Sequence, residues 1–121
     1  MARLLIVEDD ESVRALAARA LERAGHAIET AADGEEGLDR IVAANGAYDL
    51  VVSDIRMPAM DGIELAHKAS GLHPAMKILL MTGFAEQRER CDTLAKIIVD
   101  VVDKPFSLPD IRAAVGRALA A

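Results

Sequence analysis

The chain has 121 residues, with 14 basic against 20 acidic side chains and a net charge of -6. That length suits one domain with a proper core and no second one, and the 52% hydrophobic and 28% charged fractions exclude a disordered tail. The acidic balance opposes the field that nucleic acid requires, so direct DNA binding is not expected.

Met1-Ala2-Arg3 leads into the short apolar run Leu4–Val7, which reads as a buried strand. Acids interrupt it at once, so neither a signal peptide nor a membrane span fits, and the cytosol is the expected location. Glu8, Asp9 and Asp10 follow. A helical stripe of Val13, Leu16, Ala17, Ala20, Leu21 and Ala24 comes next and is closed by Gly25. A weaker strand at Ala27–Thr30 precedes a second helix that Asn45-Gly46 closes. The strand Asp49–Ser53 delivers Asp54, and the helix after it is closed by Gly71 with Pro74. Ile78–Met81 is a strand delivering Thr82. The charged run Glu86-Gln87-Arg88-Glu89-Arg90 reads as the solvated face of a fourth helix. Ile97–Val102 is the last strand and delivers Lys104. Ser107-Leu108-Pro109-Asp110 opens the last helix as a capping box, with Ile111, Ala114, Val115, Ala118 and Leu119 as its apolar stripe.

Five strands alternating with helices predict one doubly wound α/β domain over residues 1–121, a parallel sheet with helices on both faces, and no output domain attached. The single cysteine, Cys91, has no partner for an internal disulfide and reads as a packed thiol. His26, His67 and His73 lack ligand spacing and read as surface or packing residues.

In such folds the ligand site lies outside the carboxyl ends of the strands, where strand order reverses. Four strand ends therefore bring Glu8, Asp9, Asp54, Thr82 and Lys104 toward one pocket. Singly, each residue has a plainer reading. The acids favour the positive end of a helix dipole, as Asp10 is expected to do; Asp54 and Thr82 cap turns or helices; Lys104 is solvated. Together, carboxylates at neighbouring strand ends repel one another unless a cation intervenes. An all-oxygen set with few protein ligands and room for water suits magnesium. Lys104 is expected to pair with Asp54 at rest and with a phosphoryl oxygen after transfer, while Thr82 offers a hydroxyl to another. A carboxylate nucleophile, a metal, an ammonium and a hydroxyl are what phosphoryl transfer needs, with Asp54 as the acceptor.

These residues stand in motifs that are specific in combination and order: Val7-Glu8-Asp9-Asp10, Ser53-Asp54-Ile55-Arg56-Met57-Pro58 with Met60-Asp61-Gly62, Met81-Thr82-Gly83, and Asp103-Lys104-Pro105-Phe106. Over nearly its whole length the chain resembles the receiver domain of two-component response regulators. The resemblance implies a (βα)5 flavodoxin-like, CheY-like fold. It also implies Mg2+ bound directly by Asp9, Asp54 and the backbone carbonyl of Arg56, with Glu8 acting mostly through water. Asp54 would be phosphorylated by a histidine kinase or a histidine phosphotransfer protein, Thr82 would be the switch hydroxyl, and the Lys104-Pro105 bond would be cis. The family often has an aromatic residue where this chain has Val101, so the switch is expected to work through loop and helix shifts. Leu94-Ala95-Lys96-Ile97-Ile98 lacks the usual Gly-Ala turn, which makes the exit from the fourth helix unusual. More narrowly, Met81-Thr82-Gly83-Phe84-Ala85 and the single-domain build are similar to the CpdR-type regulators, whose implied output is control of the ClpX unfoldase.

Two rivals remain. A haloacid dehalogenase-type phosphatase needs a second aspartate two residues after the nucleophile, and here that residue is Arg56. A phosphorylation-independent interaction module on the same fold is the other. Nucleotide and flavin binding fit less well, because the turn after the first strand is acidic where a Gly-rich phosphate loop would be.

Overall fold

The fold rests on a computed structural model that describes residues 2–83, 90, 91 and 94–121. Its elements in chain order are β1 (Arg3–Val7), α1 (Glu11–Arg23), β2 (Ala27–Ala31), α2 (Gly34–Ala43), β3 (Leu50–Asp54), α3 (Gly62–Leu72), β4 (Ile78–Thr82), β5 (Asp100–Asp103) and α4 (Leu108–Ala120). All strand pairs are parallel and the order is β2-β1-β3-β4-β5. The order reverses between β1 and β3, the crevice where doubly wound sheets hold their ligands.

The strands β1, β3 and β4 are apolar on both faces because both faces are covered. Leu5, Val7, Val51, Ile78 and Leu80 point into one core layer with Ile41 of α2 and Leu65 and Ala66 of α3. Leu4, Ile6, Leu50, Val52, Leu79 and Met81 point into the other, beneath Ala17 and Leu21 of α1 and Ile111 and Val115 of α4. Alternation along a strand therefore splits each apolar run between two layers.

Caps set the helix starts. Asp10, Asp33 and Asp61 each accept the backbone N–H three residues on, at 3.0, 2.8 and 2.8 Å. Ser107 and Asp110 form the expected reciprocal capping box. Gly25 closes α1 at φ +96°, in the left-handed region that glycine enters without strain.

Three details differ from the sequence reading. Leu16 and Ala24 belong to the apolar stripe of α1 but are exposed, because α4 and the sheet cover only the arc through Ala17, Ala20 and Leu21. Gly71 lies inside the last turn of α3, which runs on to Leu72 until Pro74 prevents continuation. The expected last strand Ile97–Val102 begins only at Asp100. Before it, Leu94–Ile97 make a tight turn in which Ile97 and Ile98 both donate to the Leu94 carbonyl, at 2.8 and 3.0 Å. Ile97 and Ile98 are thus apolar for packing against the α2/α3 layer rather than for pairing. Most of the expected fourth helix, with Phe84 and Glu86 to Glu89 of the charged run, lies outside the described residues; Arg90 is described and exposed.

Candidate functional site

Register builds the site. Val7 lies opposite Ser53 in the β1–β3 ladder, so the next residues, Glu8 and Asp54, lie side by side where the two strands end. Asp54 pairs with Met81 and Thr82 with Asp103, which brings the ends of β3, β4 and β5 level. Glu8, Ser53, Asp54 and Thr82 are the buried polar side chains among the described residues, at 0%, 0%, 6% and 1% exposure. All four gather at one rim of the sheet.

One carboxylate oxygen from each of Glu8, Asp9 and Asp54 lies within 4.8 Å of the others. Glu8 and Asp54 are buried and Asp9 is exposed. The Lys104 ammonium, arriving from beyond β5, sits 2.7 Å from Glu8 Oε1 and 3.4 Å from Asp54 Oδ2. The expected resting pair of Lys104 with Asp54 is therefore real but secondary; the shorter contact is to Glu8. The Lys104-Pro105 bond is cis, and the Lys104 N–H donates to the Thr82 carbonyl at 2.7 Å, tying the ends of β4 and β5 together.

Electrostatics follow from this crowding. Although Asp9 is exposed, partial desolvation pushes its carboxyl above its ordinary value, and the neighbouring Glu8 carboxylate adds to the rise. Burial alone would lower the Lys104 ammonium, but its hydrogen bond to Glu8 and the charges of Asp54 and Glu8 outweigh that and raise it. Three acids thus gather around one lysine that contacts two of them, an excess of negative charge that favours a further cation.

Asp54 is held from its own backbone. Its Oδ1 accepts the Ile55 N–H at 2.9 Å, and its carbonyl accepts the Ser53 hydroxyl at 2.9 Å. The turn reading of Asp54 is thus half right, since one oxygen orders the turn and the other faces the lysine. The loop that follows carries exposed Arg56 and folds back through Gly62, whose N–H donates to the Ile55 carbonyl at 2.8 Å. A Cβ at Gly62 would collide with the Asp54 carbonyl, and one at Gly34 with the Met60 carbonyl, so both glycines are spacers for this loop. Asp61 caps α3 with one oxygen and pairs with Arg90 through the other at 3.2 Å.

Two contributors escaped the sequence reading. Ser53 had a signal, as the one hydroxyl in an apolar strand. Arg14 had a weaker one, a basic residue one turn into α1 beside three acids; its guanidinium donates to the Glu8 carbonyl at 2.9 Å. The three histidines are as read: His26 accepts from the Ala2 N–H at 3.2 Å, His67 is exposed, and the His73 ring lies against Gly46. Cys91 is a buried thiol in the α2/α3 layer. No helix among the described residues is long and apolar enough to cross a membrane.

Comparison with known proteins agrees with this geometry. Residues 4–116 match the family described as the response regulator receiver domain. The chain is 38% identical to the response regulator receiver protein CpdR of Brucella abortus over 111 residues, which is 92% of this chain and 91% of that protein. It is 36% identical to the sensor kinase CckA of the same organism over 118 residues, 98% of this chain but only 12% of that much longer protein. The crystal structure of response regulator protein TrrA from Thermotoga maritima, in complex with Mg(2+)-BeF, superimposes with a TM-score of 0.87 at 32% identity. That match covers 98% of this chain and 99% of the other. With this fold, this order of strand ends and this match across the whole site, the chain belongs to the receiver domain family of two-component response regulators.

Proposed function

We propose that Asp54 accepts a phosphoryl group from a phosphohistidine of a histidine kinase or histidine phosphotransfer protein, and that the acyl phosphate changes which protein this chain binds. An Asp54 oxygen attacks phosphorus, the phosphorus–nitrogen bond breaks, and the electron pair leaves with the imidazole nitrogen. Asp9, Asp54 and the Arg56 carbonyl would hold Mg2+, with Glu8 acting through water; the ion supplies neutralisation of charge on the transferring group. Lys104 stabilises the same charge from the other side, and Thr82 donates its hydroxyl to a phosphoryl oxygen. The observation that carries this reading is the one such group among the described residues, the Glu8, Asp9 and Asp54 oxygens within 4.8 Å, with Lys104 in contact with Glu8 and Asp54.

The output reading is finer. Likeness to CpdR over 92% of this chain, and the Met81-Thr82-Gly83-Phe84-Ala85 segment, support a cytosolic switch whose unphosphorylated form engages the ClpX unfoldase. With Val101 where a ring would swing, the switch is read through loop and helix shifts.

Incubation with acetyl phosphate and magnesium should add the mass of one phosphoryl group, and Asp54→Ala should abolish it. Label that survives the substitution moves the acceptor elsewhere, and no label on the parent favours the phosphorylation-independent module. Magnesium at a hundredfold excess over its Kd should raise stability by about 2.7 kcal/mol; a Tm indifferent to magnesium removes the metal from the account. Binding to ClpX that is equal for phosphorylated and unphosphorylated parent protein rejects the output reading alone.

A further inference from the structure

The polar groups of Glu8 are engaged on every side. Its N–H donates to the Ala31 carbonyl at 3.1 Å, Oε1 accepts from Lys104 at 2.7 Å, and Oε2 accepts the Asp10 N–H at 3.2 Å. The carbonyl is held by a side chain from another element, Arg14 of α1, at 2.9 Å. That carbonyl belongs to the peptide unit joining Glu8 to Asp9. Its direction therefore sets where the chain turns as it leaves β1 and where the Asp9 carboxylate lies relative to Glu8 and Asp54.

From this we infer that Arg14 is a positioning residue: it clamps the Glu8–Asp9 peptide so that the exposed Asp9 carboxylate stays within reach of a divalent cation shared with Asp54. A peptide plane at the start of a turn has an alternative orientation unless its oxygen is held, and β1 ends there, so no ladder bond holds it. The partly buried guanidinium binds a backbone oxygen and not a carboxylate of the cluster. The inference rests on the magnesium reading of the site.

Charge and positioning predict opposite signs, which makes the test sharp. A cation beside a cation site weakens metal binding by repulsion, so on charge alone Arg14→Ala would tighten magnesium binding. As a clamp, its loss weakens binding by about tenfold, the scale of lost support behind a metal ligand. The experiment is calorimetric titration of magnesium chloride into the parent chain, Arg14→Ala and Arg14→Lys, with Tm in chelator as the check on folding. The magnesium dependence of labelling by acetyl phosphate gives an independent readout. We expect weaker binding and a higher half-saturating magnesium concentration for Arg14→Ala, a labelling rate at saturating magnesium within about twofold of the parent, and substantial rescue by Arg14→Lys. Unchanged or tighter binding by Arg14→Ala overturns the clamp while leaving the site intact. A lower saturated rate at unchanged magnesium affinity overturns it too. A parent chain that binds no magnesium removes the site reading, and the clamp with it.

Discussion

Near the amino ends of the strands, Glu29 of β2 accepts the Tyr48 hydroxyl at 2.9 Å and two Arg3 nitrogens at 2.8 Å, with Arg40 of α2 at 3.9 Å. At the carboxyl ends, Glu8, Asp9 and Asp54 gather together, and Lys104 contacts Glu8 and Asp54. One carboxylate with two cations and a phenol stands against three carboxylates with one lysine. Burial acts in the same direction at both ends, tending to raise each acid. At Glu29 the Tyr48 hydroxyl and Arg3 overcome it and hold the carboxyl below its ordinary value; at Asp9 the Glu8 neighbour adds to it. Arg3 also lies 4.6 Å from the centre of the Tyr48 ring, so the amino-end cluster is closed on itself. The difference separates a cluster whose charges are compensated within the fold from one left with an excess of negative charge.

The largest effect expected from disturbing either end is at the carboxyl one. Lys104→Ala leaves Glu8 fully buried without its cation and should cost about 3–5 kcal/mol in chemical denaturation. Magnesium should recover part of that loss. A loss below about 1 kcal/mol would mean that water already reaches Glu8.

Next in size is Tyr48→Phe, which removes the buried phenol's hydrogen bond to Glu29 and should cost about 1 kcal/mol. Because that cluster is self-contained, the magnesium-induced rise in Tm should be unchanged. A changed rise would show that the two ends are coupled through the sheet.

The smallest effects are in the pH dependence, and they have opposite signs. In chelator the folded chain holds the Asp9 proton more tightly than the unfolded chain does. The stability that Asp9 contributes is present below its ordinary 3.8 and is lost as pH rises through its raised value. Glu29 contributes above its ordinary 4.5, and that stability is lost as pH falls through its lowered value. Subtracting the stability curves of Asp9→Asn and Glu29→Gln from the parent's should therefore give slopes of opposite sign across the acid range. Both are modest, because these side chains are partly solvated and screened. Slopes of the same sign would erase the contrast. Asp9→Asn should also raise Tm at neutral pH in chelator, whereas Glu29→Gln should lower it.

Much of this is legible in the sequence. Runs of Val, Ile and Leu too short for helices marked the buried strands, and each polar residue ending such a run, Glu8, Asp54, Thr82 and Lys104, was delivered to the same rim. The capping box at Ser107 and the turn at Gly25 were equally local, since each depends on residues within a few positions. The start of β5 was not legible. Ile97 and Ile98 are as apolar as strand residues, and only their place over the α2/α3 layer reveals that they pack without pairing.

Local chemistry along the chain was thus enough to specify the alternation of elements, the helix ends and the set of acids and base at the sheet's rim. What required the folded chain is every relation between elements. Lys104 prefers Glu8, 96 positions away, over Asp54; Arg14 holds a backbone oxygen; Leu16 is left outside the core; Gly34 gives way to the Met60 carbonyl. Periodicity reports which face of an element is apolar and which residue ends it. Strand register and the reach of each covering helix decide which atoms meet, and those are settled by packing the whole domain at once.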